Sequence, residues 1–332
     1  MPKGLIPVTI LTGFLGSGKT TLLNHILKAD HGERIAVIEN EFGEAGIDND
    51  LLVQDREEQI VEMNNGCICC TVRGDLVRIL GELAAKRKAG TLSFDRVVIE
   101  TTGLADPAPV AQTFFVDEDI GMHYMLDAIV TLVDAVHSPQ QLQEHHEAQE
   151  QIGFADRIVL TKTDLVSMAD ILTLKARLMR MNPRAAISEA RFGQIDLREV
   201  LDLRCFNLNA ILEIEPDFLT DVDHEHDDDV TSFVFRESQP LDLDRVEDFL
   251  GAMVQVYGPQ LMRYKGILNI AGDPRRIVFQ GVHMLMGADH GVPWREGEVR
   301  ESRMVFIGRD MPKDVLLQGL KQSVSKGDVV QA

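Results

Sequence analysis

The octapeptide Gly13-Phe14-Leu15-Gly16-Ser17-Gly18-Lys19-Thr20 constrains this chain more than any other stretch, because it fills the pattern G-x-x-x-x-G-K-[ST] in a telling context. Residues 5–11 ahead of it form a short apolar run that predicts a buried strand, and residues 21–28 behind it have the spacing of an amphipathic helix. A strand, a glycine-rich turn and a helix in that order aim successive N–H groups at one point. The helix N-terminus adds partial positive charge, so the turn suits a nucleotide phosphate. In such a loop Gly13, Gly16, Ser17, Gly18 and Thr21 help form the cradle, Lys19 reaches the β- and γ-phosphates, and the Thr20 hydroxyl ligates Mg²⁺. A turn that only joined strand to helix would need neither the lysine nor the hydroxyl.

Past this motif, apolar strands alternate with helical stretches. That alternation predicts an α/β P-loop NTPase fold with a mostly parallel, doubly wound sheet. Strands are expected at residues 34–39, 59–63, 94–100, 128–134, 157–161 and 185–189, with a helix over 71–83. From residue 203 to 229 the pattern lapses into an acidic linker that ends His224-Glu225-His226-Asp227-Asp228-Asp229. Beyond it come a strand at 231–236, a helix at 243–257, strands at 262–270, 276–284 and 302–307, and a helix at 313–323. This order predicts a smaller C-terminal α+β domain with an antiparallel sheet. The 332 residues thus divide into a nucleotide domain (1–202), a linker (203–229) and a C-terminal domain (230–332).

Charge and composition exclude several classes. A net charge of −20 leaves no basic stripe to neutralise phosphates, so no nucleic-acid partner is expected. No run approaches the ~18 apolar residues of a membrane span. The first four residues lead straight into the first strand without room for a secretory signal, so the expected location is cytoplasmic. Only four cysteines occur, three of them in Cys67-Ile68-Cys69-Cys70. In a reducing compartment such a cluster reads as metal-binding or redox-active, not as a disulfide framework.

Ligands of an open parallel sheet sit at the carboxyl ends of its strands, and the remaining motifs fall there. Glu39-Asn40-Glu41-Phe42-Gly43-Glu44 follows the second strand, where P-loop proteins carry a nucleotide-sensing switch; a solvated acidic loop is the alternative. Glu100 ends an apolar strand in the Walker B manner and would hold Mg²⁺, and Gly103 would offer its N–H to a γ-phosphate. Thr161-Lys162-Thr163-Asp164 is a variant of the Asn-Lys-x-Asp motif: Asp164 can accept from guanine N1–H and the 2-amino group, and the Lys162 stem can cover the base. Cys67, Cys69 and Cys70 can hold Zn²⁺ as thiolates, helped by the helix that follows and completed from elsewhere, with Glu39 and Glu44 as candidates. His224 and His226 either collect metal weakly or belong to a solvated linker. His145, His146 and Cys205 read as structural or surface residues, and His283, His290 and Trp294 either pack locally or face a client.

Taken together, these motifs resemble the CobW and YjiA family of metal-associated P-loop GTPases. The likeness continues through Arg263-Tyr264-Lys265-Gly266, Phe279-Gln280-Gly281-Val282 and Ser302 to Gly308, so it covers nearly the whole chain. It implies a slow GTPase, with Lys19, Thr20 and Glu100 as its catalytic set, that uses GTP and Mg²⁺. It also implies a metallochaperone that carries Zn²⁺, or Co²⁺ or Ni²⁺, on Cys67, Cys69 and Cys70 to a metal-requiring client, and it allows a homo-oligomer. Phe14 and Leu15 stand where a distinct P-loop subgroup has an intersubunit lysine, so no such lysine is expected. A small-molecule kinase and a passive metal buffer are the rival readings.

Overall fold

The computed structural model describes residues 5–39, 59–62, 70–205 and 229–325. Its contacts divide the chain into two compact units, Met1–Asn207 and Leu208–Ala332.

The first unit begins with β1 (Ile6–Gly13), α1 (Lys19–Lys28), β2 (Ile35–Glu39), β3 (Gln59–Glu62), α2 (Cys70–Lys88) and β4 (Arg96–Glu100). It continues with α3 (Ala108–Val116), α4 (Glu118–His123), β5 (Tyr124–Asp134), α5 (Ser138–Glu144), α6 (His146–Phe154), β6 (Arg157–Thr161), α7 (Met168–Met181) and β7 (Ala186–Glu189). Seven strands make one sheet in the order β3-β2-β4-β1-β5-β6-β7, and every neighbouring pair is parallel. The chain builds one half outward from β1 and then returns to build the other, so β1 marks the switch point where a crevice opens. Its apolar residues Val8, Ile10 and Leu11 are fully buried, as a strand covered on both faces requires. On α1, Leu22, Leu23, Ile26 and Leu27 fall on one helical face and pack with Leu11, Val37, Val98, Val130 and Val159. Each such burial contributes about 1.5–3 kcal/mol, which fixes the start of α1 over the end of β1.

The amino end of this sheet is closed by charge. Arg96 and Asp127 are both almost wholly buried and pair at 2.9 Å, and Arg96 Nε also donates to Glu33 at 2.9 Å. The Asp127 carboxylate accepts the N–H groups of Arg204 at 2.7 Å and Leu203 at 3.3 Å, while its backbone carbonyl accepts from Cys205 N at 2.9 Å. The last described residues of the unit are thereby tied beneath the sheet.

In the second unit, β8 (Val230–Glu237), α8 (Leu243–Tyr257), β9 (Leu261–Leu268), β10 (Arg275–Val282), β11 (Leu285–Pro293), β12 (Ser302–Arg309) and α9 (Lys313–Gln322) form an α+β layer. The five-stranded sheet runs β11-β10-β9-β12-β8 with antiparallel pairs. Phe233, Phe235, Tyr264, Phe279 and Phe306 meet Leu250, Val254, Leu316 and Leu320 of the two helices in its core. Strand β11 was not expected from the sequence. Its residues are mostly exposed and do not alternate apolar with polar, and it exists by pairing with β10 across a two-residue turn at His283 and Met284.

Candidate functional site

Gly13 is the last residue of β1, with φ 142°, and a Cβ there would lie 2.4 Å from Leu132 O and 2.7 Å from Ser17 Oγ. The loop therefore closes tightly over the sheet only because Gly13 lacks a side chain. Gly16 and Gly18 take φ 73° and 96°, and Gly18 caps α1 with no side-chain hydrogen bond and no acid in the first turn. The first N–H groups of α1 and their partial positive charge thus remain available to an anion. Lys19 Nζ donates to Gly13 O at 2.8 Å and Phe14 O at 3.3 Å, which folds it back over the loop. The Ser17 hydroxyl is buried and lacks a hydrogen-bond partner, a polar group that a phosphate or its cation would satisfy.

Beside the loop, Thr20 Oγ1 donates to Glu100 Oε1 at 3.4 Å. That pair is a hydroxyl and a carboxylate at the strand end, a hard-oxygen set that fits Mg²⁺. Register places Glu39 opposite Glu100 on neighbouring parallel strands, and Glu62 opposite Glu39, so three strands end in glutamate in a row. Glu39 is buried, at 5% exposure. Past Glu100, Gly103 lies against the phosphate loop: a Cβ on it would sit 2.7 Å from Leu15 N. Buried Gln151 of α6 donates from Nε2 to the carbonyls of Gly103 and Ala105, both at 3.1 Å, so it holds this turn from below. His145, at the break between α5 and α6, is half-buried, and its ring lies 4.7 Å from that of Phe14.

The third part of the site is the turn after β6. Thr161, which departs from the Asn of the usual motif, donates from Oγ1 to Ser17 O at 2.8 Å, joining this turn to the phosphate loop. Lys162 adopts left-handed φ 56° and its Nζ donates to Asp134 Oδ2 at 2.7 Å. Asp164 follows in a short 3₁₀ turn (Thr163–Leu165) and is exposed, with its carboxylate open to a ligand. Asp134 was not singled out in the sequence. Burial opposes its ionisation, but hydrogen bonds from Lys162, His137 and Val136 N outweigh that and hold its pKa below the ordinary carboxylate value.

Residues 7–189 match the family described as CobW/HypB/UreG, nucleotide-binding domain, and residues 230–324 match the cobalamin synthesis protein cobW C-terminal domain. The chain belongs to the CobW family. It is 44% identical over 310 residues to the zinc chaperone YjiA of Escherichia coli K12, covering 93% of this chain and 96% of that relative. It is 34% identical to the zinc chaperone CobW of Pseudomonas aeruginosa, covering 96% and 92%. The crystal structure of Zn(II)-bound YjiA GTPase from E. coli superposes with a TM-score of 0.80 at 38% identity, covering 97% of this chain and all of that one.

Of the metal residues expected in this CobW-family chain, Cys67, Cys69 and Glu44 lie outside the described residues, as do His224 and His226. Cys70 is the first residue of α2, and Glu39 is the last of β2. Among the described residues no group of three or more His, Cys, Asp or Glu side chains is placed to hold a metal. No helix among them is long and apolar enough to cross a membrane.

Proposed function

We propose that this chain binds and hydrolyses GTP and uses the nucleotide state to control zinc carried at Cys67, Cys69 and Cys70, with Glu39 and Glu44 beside them. The observation that carries this reading is the register pairing of Glu39 with Glu100, next to the Thr20 contact. A carboxylate assigned to the zinc site and one assigned to the nucleotide site end adjacent strands, so a change at one strand end is felt at the other. Co²⁺ or Ni²⁺ would suit the same thiolates.

Lys19 exchanges its backbone partners for the β- and γ-phosphates when nucleotide arrives, and the open N-terminus of α1 receives the phosphate charge. Thr20 and Glu100 would hold Mg²⁺, which supplies charge neutralisation on the transferring phosphoryl group. Gly103 offers its N–H to the γ-phosphate, and loss of that phosphate releases the turn that carries it. Asp164 accepts from the guanine edge and Lys162 covers the base. Release of the 39–44 segment and of the turn that carries Gly103 then lowers the hold on zinc and lets it pass to a metal-requiring client. The intracellular setting that reduced thiols require is part of the same reading.

Base choice tests the nucleotide half directly. Asp164→Asn replaces an acceptor by a donor, so the variant should prefer xanthosine over guanosine triphosphate in a steady-state phosphate-release assay. Unchanged use of GTP would remove Asp164 from base reading.

A further inference from the structure

The turn after β7 carries a residue that its backbone does not favour. Arg191 and Gln194 form an isolated antiparallel bridge, in which Gln194 N donates to Arg191 O at 2.9 Å and Arg191 N to Gln194 O at 3.3 Å. Between them Phe192 and Gly193 take φ 51° and 75°. Two left-handed central residues make a type I′ loop, whose first position suits Asn, Asp or Gly. A bulky side chain there is strained. Phe192 is nevertheless 81% exposed, so packing within the chain gives little in return.

This turn is fixed between the parts of the site that hold opposite ends of a nucleotide. On one side Gly193 lies against α1: a Cβ there would be 2.6 Å from Thr21 O, and His25 Nε2 is 3.2 Å from Ile195 O. On the other side Ala190 N donates to Leu160 O at 2.8 Å, immediately before Thr161. A ligand with phosphates at the start of α1 and a base edge at Asp164 spans the stretch that this turn borders.

We propose that Phe192 is a nucleotide-binding residue whose ring stacks on the purine face and forms a wall of the base site. The inference rests on the reading of Asp164 as the base-edge acceptor. The two residues have separable roles: stacking is indifferent to which purine is bound, whereas the edge contact chooses among purines.

The test compares Phe192→Asn and Phe192→Tyr with the unaltered full-length protein by equilibrium titration with GDP, xanthosine diphosphate and inorganic tripolyphosphate. Asn suits the turn, so Phe192→Asn should melt at or above the parent temperature. Its affinity for both purine nucleotides should fall about tenfold, with tripolyphosphate binding and the ratio between the purines unchanged. Phe192→Tyr keeps the ring and should stay within about twofold of the parent. GDP binding by Phe192→Asn equal to the parent's, or an equal loss for tripolyphosphate, would overturn the proposal. Asp164→Asn measured alongside keeps the readings apart: if it leaves base preference unaltered while Phe192→Asn weakens both purines, the edge assignment fails and the aromatic wall stands.

Discussion

Strand β5 carries two buried aspartates, and they teach opposite lessons. At the amino end Asp127 meets Arg96, which is itself 1% exposed, and its carboxylate also accepts from the buried Thr9 hydroxyl and from the backbone N–H groups of Leu203 and Arg204. At the carboxyl end Asp134 is equally buried, but its partners face outward: the Lys162 side chain is 36% exposed and that of His137 is 62% exposed. The first aspartate spends its charge on closing the fold. The second spends it on holding a strained, half-exposed lysine in a place where a ligand can reach it. Burial and charge alone do not separate these two carboxylates; the exposure of the groups that each one holds does.

Removing the two side chains should therefore have different consequences. Asp127→Ala leaves the Arg96 guanidinium buried with only the half-exposed carboxylates of Glu33, at 2.9 Å, and Asp202, at 4.0 Å, so chemical denaturation should show a loss of about 3–5 kcal/mol, while the folded protein binds GDP as before. Nucleotide affinity lost in step with stability would break the contrast. Asp134→Asn keeps a carbonyl oxygen for Val136 N but loses the charge that holds Lys162 Nζ. Because that ammonium reaches solvent, the stability loss should be smaller, about 1 kcal/mol, whereas GDP affinity should fall about tenfold.

The smallest effect is in pH. The pKa of Asp134 is depressed in the folded state, so its contribution is complete above the unfolded value of about 4. It fades as pH falls through the lower folded value. The stability gap between the parent and Asp134→Asn should thus be constant from neutral pH down to about 4 and narrow below it. A gap that narrowed as pH rose would mean that the carboxylate is not held by Lys162.

What could be read from the sequence was chemistry encoded in neighbouring residues. The phosphate loop, the Walker B strand and the Thr161 to Asp164 turn each lie within a few positions, and strand and helix periodicity places them. The contact of Asp134 with Lys162 was not legible because the two lie 28 positions apart, and only the β5–β6 pairing brings them together. The conformational cost at Phe192 is invisible until both central residues of the turn are seen at positive φ. The Thr161 departure gains its meaning from a bond to Ser17, 144 positions earlier. Strand β11 has no apolar alternation of its own and depends on a neighbour for its existence.

The coupling of the two sites is best tested by zinc affinity, measured by competition with a chromophoric chelator, first with GDP bound and then with a non-hydrolysable GTP analogue. If Glu39 and Glu100 link the sites, the affinity should differ about tenfold between the two states, which is roughly 1.4 kcal/mol of coupling, and zinc should shift nucleotide affinity by the same factor. Equal zinc affinity in both states would contradict the coupling and leave a GTPase and a thiolate cluster that share a chain without sharing a mechanism.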